Sequence, residues 1–190
     1  MSILNSLEAR RSYYGINKKL PVNINEIVDM AEKLTGLVPD AFNMKSSRLV
    51  VVSGEKHDLL WDTIYDVFGG KVPREKIDGF KRGSGTLLYF YDQKVVDRLS
   101  KEYPDYADNF PVWANHASAM LQLSVWTALR EKKIGASLQH FNPAVDEAVK
   151  KLLGLPEEFV LVAQMPFGGI IQEPEVKDVD DASQRVLIVQ

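Results

Sequence analysis

The sequence predicts an α+β fold in one domain spanning residues 1–190, with helices dominating and strands far apart along the chain. Three observations carry this. Short apolar runs suited to strands recur at Leu49-Val50-Val51-Val52, at Thr86-Leu87-Leu88-Tyr89-Phe90-Tyr91 and at Phe159-Val160-Leu161-Val162-Ala163-Gln164-Met165. The stretches between them place apolar residues at the three-to-four spacing of a helix face. No repeat, low-complexity tract or linker divides the chain.

Taken in order, residues 2–10 place Ile3, Leu4 and Leu7 on one face of a short helix. The next helix begins at Asn23, with Glu26 three positions on as the reciprocal partner of a capping box. Ile24, Ile27, Val28, Ala31 and Leu34 mark its stripe, and Pro39 ends it by disfavouring helical geometry in the residue before it. Residues 48–53 read as a strand buried on both faces, because the apolar run is continuous rather than alternating. Residues 56–68 return to helix, with Leu59, Leu60, Ile64 and Phe68 inward and Gly69-Gly70 as the stop. The basic stretch 71–84 reads as a loop with a short helical part, 94–102 as a short helix, and 103–111 as an acidic, aromatic surface segment.

The longest helix is expected over about 112–133, with small residues at Ala114, Ala117, Ser118, Ala119 and Ala128. Such residues allow close helix approach, either to a second subunit or within the monomer core. Gly135 stops it. A further helix covers 144–153, entered through Pro143 and left at Gly154. The run 159–165 is the third strand and 185–189 a fourth, with the acidic 173–181 stretch between them as a solvated loop.

Composition removes several function classes. The chain is 45% apolar and 26% charged with a net charge of −3, so no basic field invites nucleic acid. There is no cysteine, which excludes disulfides, thiolate catalysis and Cys-ligated clusters. The histidines, His57, His116 and His140, are too scattered for a metal site. No apolar run approaches a membrane span, and Glu8 falls where a signal peptide would stay apolar, so a cytoplasmic location is expected.

What chemistry remains is concentrated early. Arg10, Arg11 and Ser12 place two planar, permanently charged guanidiniums beside a hydroxyl at a helix end, a donor set suited to a dianionic phosphate. A second polar loop, Pro39-Asp40-Ala41-Phe42-Asn43-Met44-Lys45-Ser46-Ser47-Arg48, carries an Asn able to read the edge of a heteroaromatic ring. A phosphorylated, ring-bearing cofactor fits both, and flavin mononucleotide (FMN) is the economical choice. No Gly-x-Gly-x-x-Gly fingerprint is present to choose between NADH and NADPH.

These two motifs, followed by Gly85-Thr86-Leu87-Leu88-Tyr89-Phe90, Gly135-Ala136-Ser137-Leu138-Gln139-His140-Phe141-Asn142-Pro143, Met165-Pro166-Phe167-Gly168 and Arg185, give the chain its family likeness. It resembles the FMN-dependent nitroreductase family, and within it the branch of fungal fatty-acid-repression-type proteins and short bacterial nitroreductases. The resemblance implies a central, mainly antiparallel sheet of four to five strands flanked by helices, in a homodimer with FMN at the subunit interface. It assigns Arg10, Ser12 and Arg185 to the FMN phosphate, with Arg11 close by. Asn43, helped by Ser46 and Ser47, is assigned to the flavin of the partner subunit, and the segment of Ser137, Leu138 and Gln139 to the flavin N5 and O4 edge. Lys81 or Arg82 falls where a cation would face N1 and O2, the other reading being a solvated basic loop. Tyr103, Tyr106, Phe110 and Trp113 form either the substrate-side wall or surface packing. Where many members carry a Lys two positions after the early Ser, this chain has Tyr14. The activity implied is a ping-pong transfer of hydride from NADH or NADPH through flavin N5 to a small aromatic acceptor, a nitroaromatic or a quinone. The alternative is a flavin-binding regulatory or stress-response protein with little turnover.

Overall fold

The computed structural model describes residues 2–176 and 181–190, and its architecture is a five-stranded antiparallel sheet between two helical layers. The chain runs α1 (Ile3–Ala9), β1 (Ile16–Asn17), α2 (Ile24–Leu37), β2 (Ser47–Ser53), α3 (Glu55–Val67), α4 (Arg74–Lys81), β3 (Gly85–Asp92) and α5 (Gln93–Glu102). It continues with α6 (Phe110–Glu131), β4 (Ile134–Ala136), α7 (Asp146–Leu153) and β5 (Phe159–Ile170). Short 3-10 turns occupy Ala41–Asn43, Pro104–Asn109 and Ser183–Arg185. The strand order is β1-β5-β3-β2, with β4 also paired to β5.

The centre of the sheet follows from strand period. On β3, Leu87 and Tyr89 enter one core with Ile27 of α2 and Leu121, Val125 and Leu129 of α6. The intervening Leu88 and Phe90 enter the other, with Leu60, Trp61 and Ile64 of α3, Ile77 of α4 and Val149 of α7. An apolar run covered on both faces is what a central strand requires. A third cluster, Met44, Val96, Leu99, Phe110 and Ala114, joins the 40s loop to α5 and α6. The capping box at Asn23 and Glu26 is present, and Gly154 closes α7 in the left-handed conformation (φ 65°).

Two expectations are corrected. The strand at residues 48–53 is an edge strand, paired only to β3, and within it Val52 alone is fully buried. Residues 185–189 are not a strand. Arg185 ends a 3-10 turn, and Val186 to Val189 follow in irregular, exposed chain: a strand needs a neighbour for its amides and carbonyls, and among the described residues no strand pairs with them. Four of the residues in the 173–181 loop, 177–180, lie outside the described residues. The two short strands, β1 and β4, were not expected at all. They depend on β5, where Gly168 and Gly169 leave room for the backbone of β1: a Cβ there would run into the carbonyl oxygens of Asn17 and Lys19. Among the described residues no helix is long and apolar enough to cross a membrane.

Candidate functional site

Two clefts hold the residues singled out in the sequence. The first, of about 540 Å³, is lined by Arg10, Arg11, Ser12, Tyr14 and Gly15 on one side and by Gln172 to Val176 on the other. Its wall is built by anchoring both flanks of the 10–14 segment. The Arg10 amide closes α1 on the Ser6 carbonyl, and the Tyr13 amide donates to Ala136 O of β4 at 2.9 Å. The Ser6 hydroxyl donates to Glu131, and Arg130 Nε donates to Ala9 O at 3.2 Å, so α6 fixes where α1 ends.

The Arg10 guanidinium lies over the Trp126 ring, 4.3 Å from its centroid, and its Nε–H is buried with no acceptor among the described residues. Burial, with Arg11 beside it, lowers its pKa from the ordinary value. A half-buried cation with an orphaned donor is stabilised by an anion placed against it. Arg11 Nη2 donates to Glu175 O at 2.6 Å. The Glu173 carboxylate accepts from the Tyr13 hydroxyl at 2.9 Å. Tyr14 also lines a neighbouring cleft of about 330 Å³ with Lys76, Phe80 and Arg82, so the cationic surface continues along the molecule.

Of the two adjacent cations, Arg82 is the one on this surface. Lys81 Nζ is held by both oxygens of Asp62, at 2.7 and 2.8 Å, and the hydrogen bond from Lys81 lowers the Asp62 pKa. Arg74 shares the same carboxylate at 2.8 Å.

The second cleft, of about 350 Å³, is lined by Pro39, Asp40, Asn43, Lys45, Ser47 and Arg48 together with Ala117 and Leu121 of α6. No residue lines both this cleft and that of Arg10. Asn43 is exposed on it, whereas Ser46 is fully buried: its amide and hydroxyl both donate to Asp40 Oδ2 at 2.8 Å. Ser47 takes the place on the cleft wall. Asp40 thereby staples the loop.

That loop is strained. Phe42, Asn43 and Lys45 all have positive φ (54°, 49° and 55°), a region that costs a bulky aromatic most. What holds Phe42 there is a ring cluster that sequence reading left incomplete. Its centroid lies 5.0 Å from Tyr103, 5.2 Å from Phe110, 5.6 Å from Trp113 and 5.7 Å from Tyr106. All four expected aromatics thus converge on Phe42, which no periodic signal could have shown, since it sits in a turn.

The segment after β4 continues it against β5. Ser137 N donates to Pro166 O at 3.3 Å and Gln139 N to Gln164 O at 2.7 Å, with Ser137 and Gln139 buried and Leu138 half-buried between them. Gln139 Nε2 reaches the Ser137 hydroxyl at 3.2 Å. Among the described residues no acceptor takes the intervening amides of Leu138 and His140. Arg185 ends an exposed turn and is not among the residues lining the Arg10 cleft.

Known proteins share this fold. The sequence profile of the nitroreductase family matches residues 7–169. The Saccharomyces cerevisiae protein HBN1 is 33% identical over 171 residues, covering 87% of this chain and 86% of that one. The nitroreductase FRM2 of the same yeast is 27% identical over 177 residues, covering 92% and 91%. Among solved structures, nitroreductase CinD from Lactococcus lactis in complex with chloramphenicol is 37% identical over the whole of both chains, with a TM-score of 0.94. The same protein has been solved with 4-nitrophenol (36% identical, whole of both chains, TM-score 0.90).

Proposed function

Because the chain belongs to the nitroreductase family and is a nitroreductase-type oxidoreductase, we propose that it is an FMN-dependent NAD(P)H oxidoreductase that reduces small aromatic acceptors, nitroaromatics or quinones, as a cytoplasmic homodimer. The observation that carries this reading is the Arg10 cleft: a half-buried guanidinium with an unanswered Nε–H, beside Arg11 and Ser12, on a cationic surface extending past Tyr14 to Lys76 and Arg82. A ligand with a dianionic end and a long, flat remainder fits that donor set better than a compact anion does.

The split of the site into two clefts favours a dimer. Asn43 cannot serve the same ligand as Arg10 if no residue lines both clefts, but a second copy brings its Asn43 loop to the first copy's Arg10 cleft. The surface offers the means. Val112, Met120 and Leu123 leave an apolar row on the outer face of α6, and Val186 to Val189 form an exposed apolar run.

In this reading Arg10, Arg11 and Ser12 hold the phosphate, with Arg185 as a further cation. FMN held there would supply the two-electron redox chemistry between NADH or NADPH and the aromatic acceptor. The free amides of Leu138 and His140 offer fixed N–H donors to the N5 and O4 edge, which gains electron density on reduction. Arg82 serves the N1 and O2 edge in place of Lys81. The Phe42 cluster supplies an aromatic wall and keeps water from that side. No side-chain acid or base is required.

The test is an absorbance spectrum of the purified protein, followed anaerobically by NADH, by NADPH and then by 4-nitrophenol. Flavin bands that bleach with a nucleotide and return with the acceptor are expected. Bands indifferent to both nucleotides would mean a flavin-binding regulator. No bands, even after added FMN, would overturn the reading.

A further inference from the structure

The geometry points to Gln164 as the positioning residue that aims the Leu138 and His140 amides into the site; this rests on the FMN reading above. Gln164 is completely buried in β5, a polar side chain between Ala163 and Met165, both of which enter the α2 and α6 core. By strand alternation it faces the opposite layer, where Phe141 and Val145 lie.

A buried amide must satisfy its donors and acceptor, and Gln164 does so entirely on one short segment. Its backbone exchanges two hydrogen bonds with Gln139, at 2.7 and 2.9 Å. Its Oε1 accepts from the Phe141 amide at 2.8 Å, and its Nε2 donates to Asn142 Oδ1 at 3.3 Å. One residue therefore fixes residues 139, 141 and 142, while Pro166 O fixes the Ser137 amide.

The odd-numbered amides are thus all turned toward β5. In an extended segment successive amides point to opposite edges, so the even-numbered ones, Leu138 and His140, point away from the sheet and stay free to donate. β4 itself ends at Ala136, and beyond it the backbone is tied to β5 by the Ser137 amide on Pro166 O and by the Gln139–Gln164 bridge. Backbone pairing alone leaves the plane between Phe141 and His140 free to turn. The Gln139 carbonyl, held by the Gln164 amide at 2.9 Å, sets the plane that carries the His140 N–H; the Gln164 side chain pins the next plane, so the segment stays extended on both sides of His140 and the Leu138 and His140 N–H groups stay directed away from β5.

The experiment compares the FMN-loaded protein with Gln164→Met, which removes both side-chain bonds, and Gln164→Glu, which keeps an acceptor for Phe141. Two quantities are read: the midpoint potential of bound FMN, and hydrogen exchange across 137–142 with and without FMN. In Gln164→Met the preference for reduced over oxidised flavin should fall about tenfold, which for a two-electron couple is a potential about 30 mV more negative. FMN should protect the Leu138 and His140 amides in the unsubstituted protein and fail to do so in this variant. Gln164→Glu should shift the potential in the same direction and by less. A residue that only filled the core would lower thermal stability and FMN content without moving the potential of the flavin that stays bound, and that result would overturn the proposal. Should Gln164→Met not fold, Gln164→Glu decides by itself: no shift overturns. An unsubstituted protein that ignores FMN would sink the cofactor reading and this one together; a yellow protein with unshifted variants sinks only this one.

Discussion

The rings of Phe42 and Trp113 are stacked, 5.6 Å between centroids and 21° from parallel, while the Phe42 backbone sits in the left-handed region at φ 54°, ψ 17°. A strained backbone and a stacked ring oppose one another in one residue. Left-handed geometry costs a residue with a Cβ about 1–3 kcal/mol. Aromatic pairs return about 0.5–1.5 kcal/mol each, and Phe42 has four such neighbours, so the ring contacts win.

The ordinary order of Ala and Gly should therefore invert here. Phe42→Ala loses the ring and keeps the strain, and is expected to destabilise by about 2–3 kcal/mol. Phe42→Gly loses the same ring but relieves the strain, and should be more stable than the Ala variant by about 1 kcal/mol. Urea unfolding of the three proteins measures this; an Ala variant as stable as the Gly variant would remove the strain from the account.

Arg10→Ala should weaken FMN binding about 10–100-fold, the loss of a charged hydrogen-bonding pair worth about 1.5–3 kcal/mol. Arg10→Lys restores charge but not the fork or the stacking on Trp126, and should recover only part of the affinity. Flavin fluorescence titration of the apoprotein separates the three. Equal affinity in all of them would take the phosphate away from Arg10.

Lys81→Ala and Arg82→Ala should differ although the residues are adjacent. Lys81 is tied to Asp62 on a partly exposed surface, so its loss should cost about 0.2–1 kcal/mol of stability and leave flavin reduction by NADH unchanged. Arg82→Ala should slow that reduction with little effect on stability. Stopped-flow reduction with the opposite ranking would return Lys81 to the site.

Asp146 gives a pH dependence whose sign is opposite to that of a salt-bridged acid. Burial raises its pKa to about 6 against the attraction of Lys150, and one of its oxygens has no partner. The unfolded chain releases this proton near pH 4 and the folded one near pH 6, so stability falls as pH rises through that window and stays low above it. The group is half exposed, so the loss is limited to about 1–2 kcal/mol. Asp146→Asn should match the parent at pH 4 and exceed its stability by that amount at pH 7.5, measured by thermal or urea unfolding at both values.

Met120→Glu with Leu123→Glu should leave a folded monomer with poor flavin retention, since both side chains lie exposed on α6 and outside the core. Sedimentation and flavin content, measured on one sample, test the shared site; a monomeric variant that holds FMN fully would make the second copy dispensable.

Where local pattern decides structure, the sequence was legible. Helix stripes, the Asn23 cap and the long apolar runs of β3 and β5 depend on residues within a turn or a strand of each other. β1 and β4 were not legible, because two or three residues carry no period; β1 forms where Gly168 and Gly169, far along the chain, admit its backbone, and β4 where β5 offers it a partner. The run 185–189 failed for the complementary reason: strand propensity states willingness, and pairing needs a partner. In the site, Arg10, Arg11, Ser12 and Asn43 could be named from side-chain chemistry alone. Ser46, Ser47, Lys81 and Arg82 could not be sorted, since neighbours of the same type were separated by hydrogen bonds to Asp40 and Asp62, and Gln164 gave no sign beyond being a polar residue in an apolar run.

β5 pairs with β1, β3 and β4, so both helical layers close over a strand that ends at Ile170. During synthesis most of the chain must leave the ribosome before its sheet can be completed. Until then β2 and β3 are, among the described strands, the one pair available, and β3 leaves the amides and carbonyls of its other edge unpaired. The high sequence separation of these pairings makes folding slow relative to a helical bundle of the same size. A nascent chain of this protein therefore needs shelter from its neighbours late in translation, and slowing elongation before residue 159 should increase aggregation rather than relieve it.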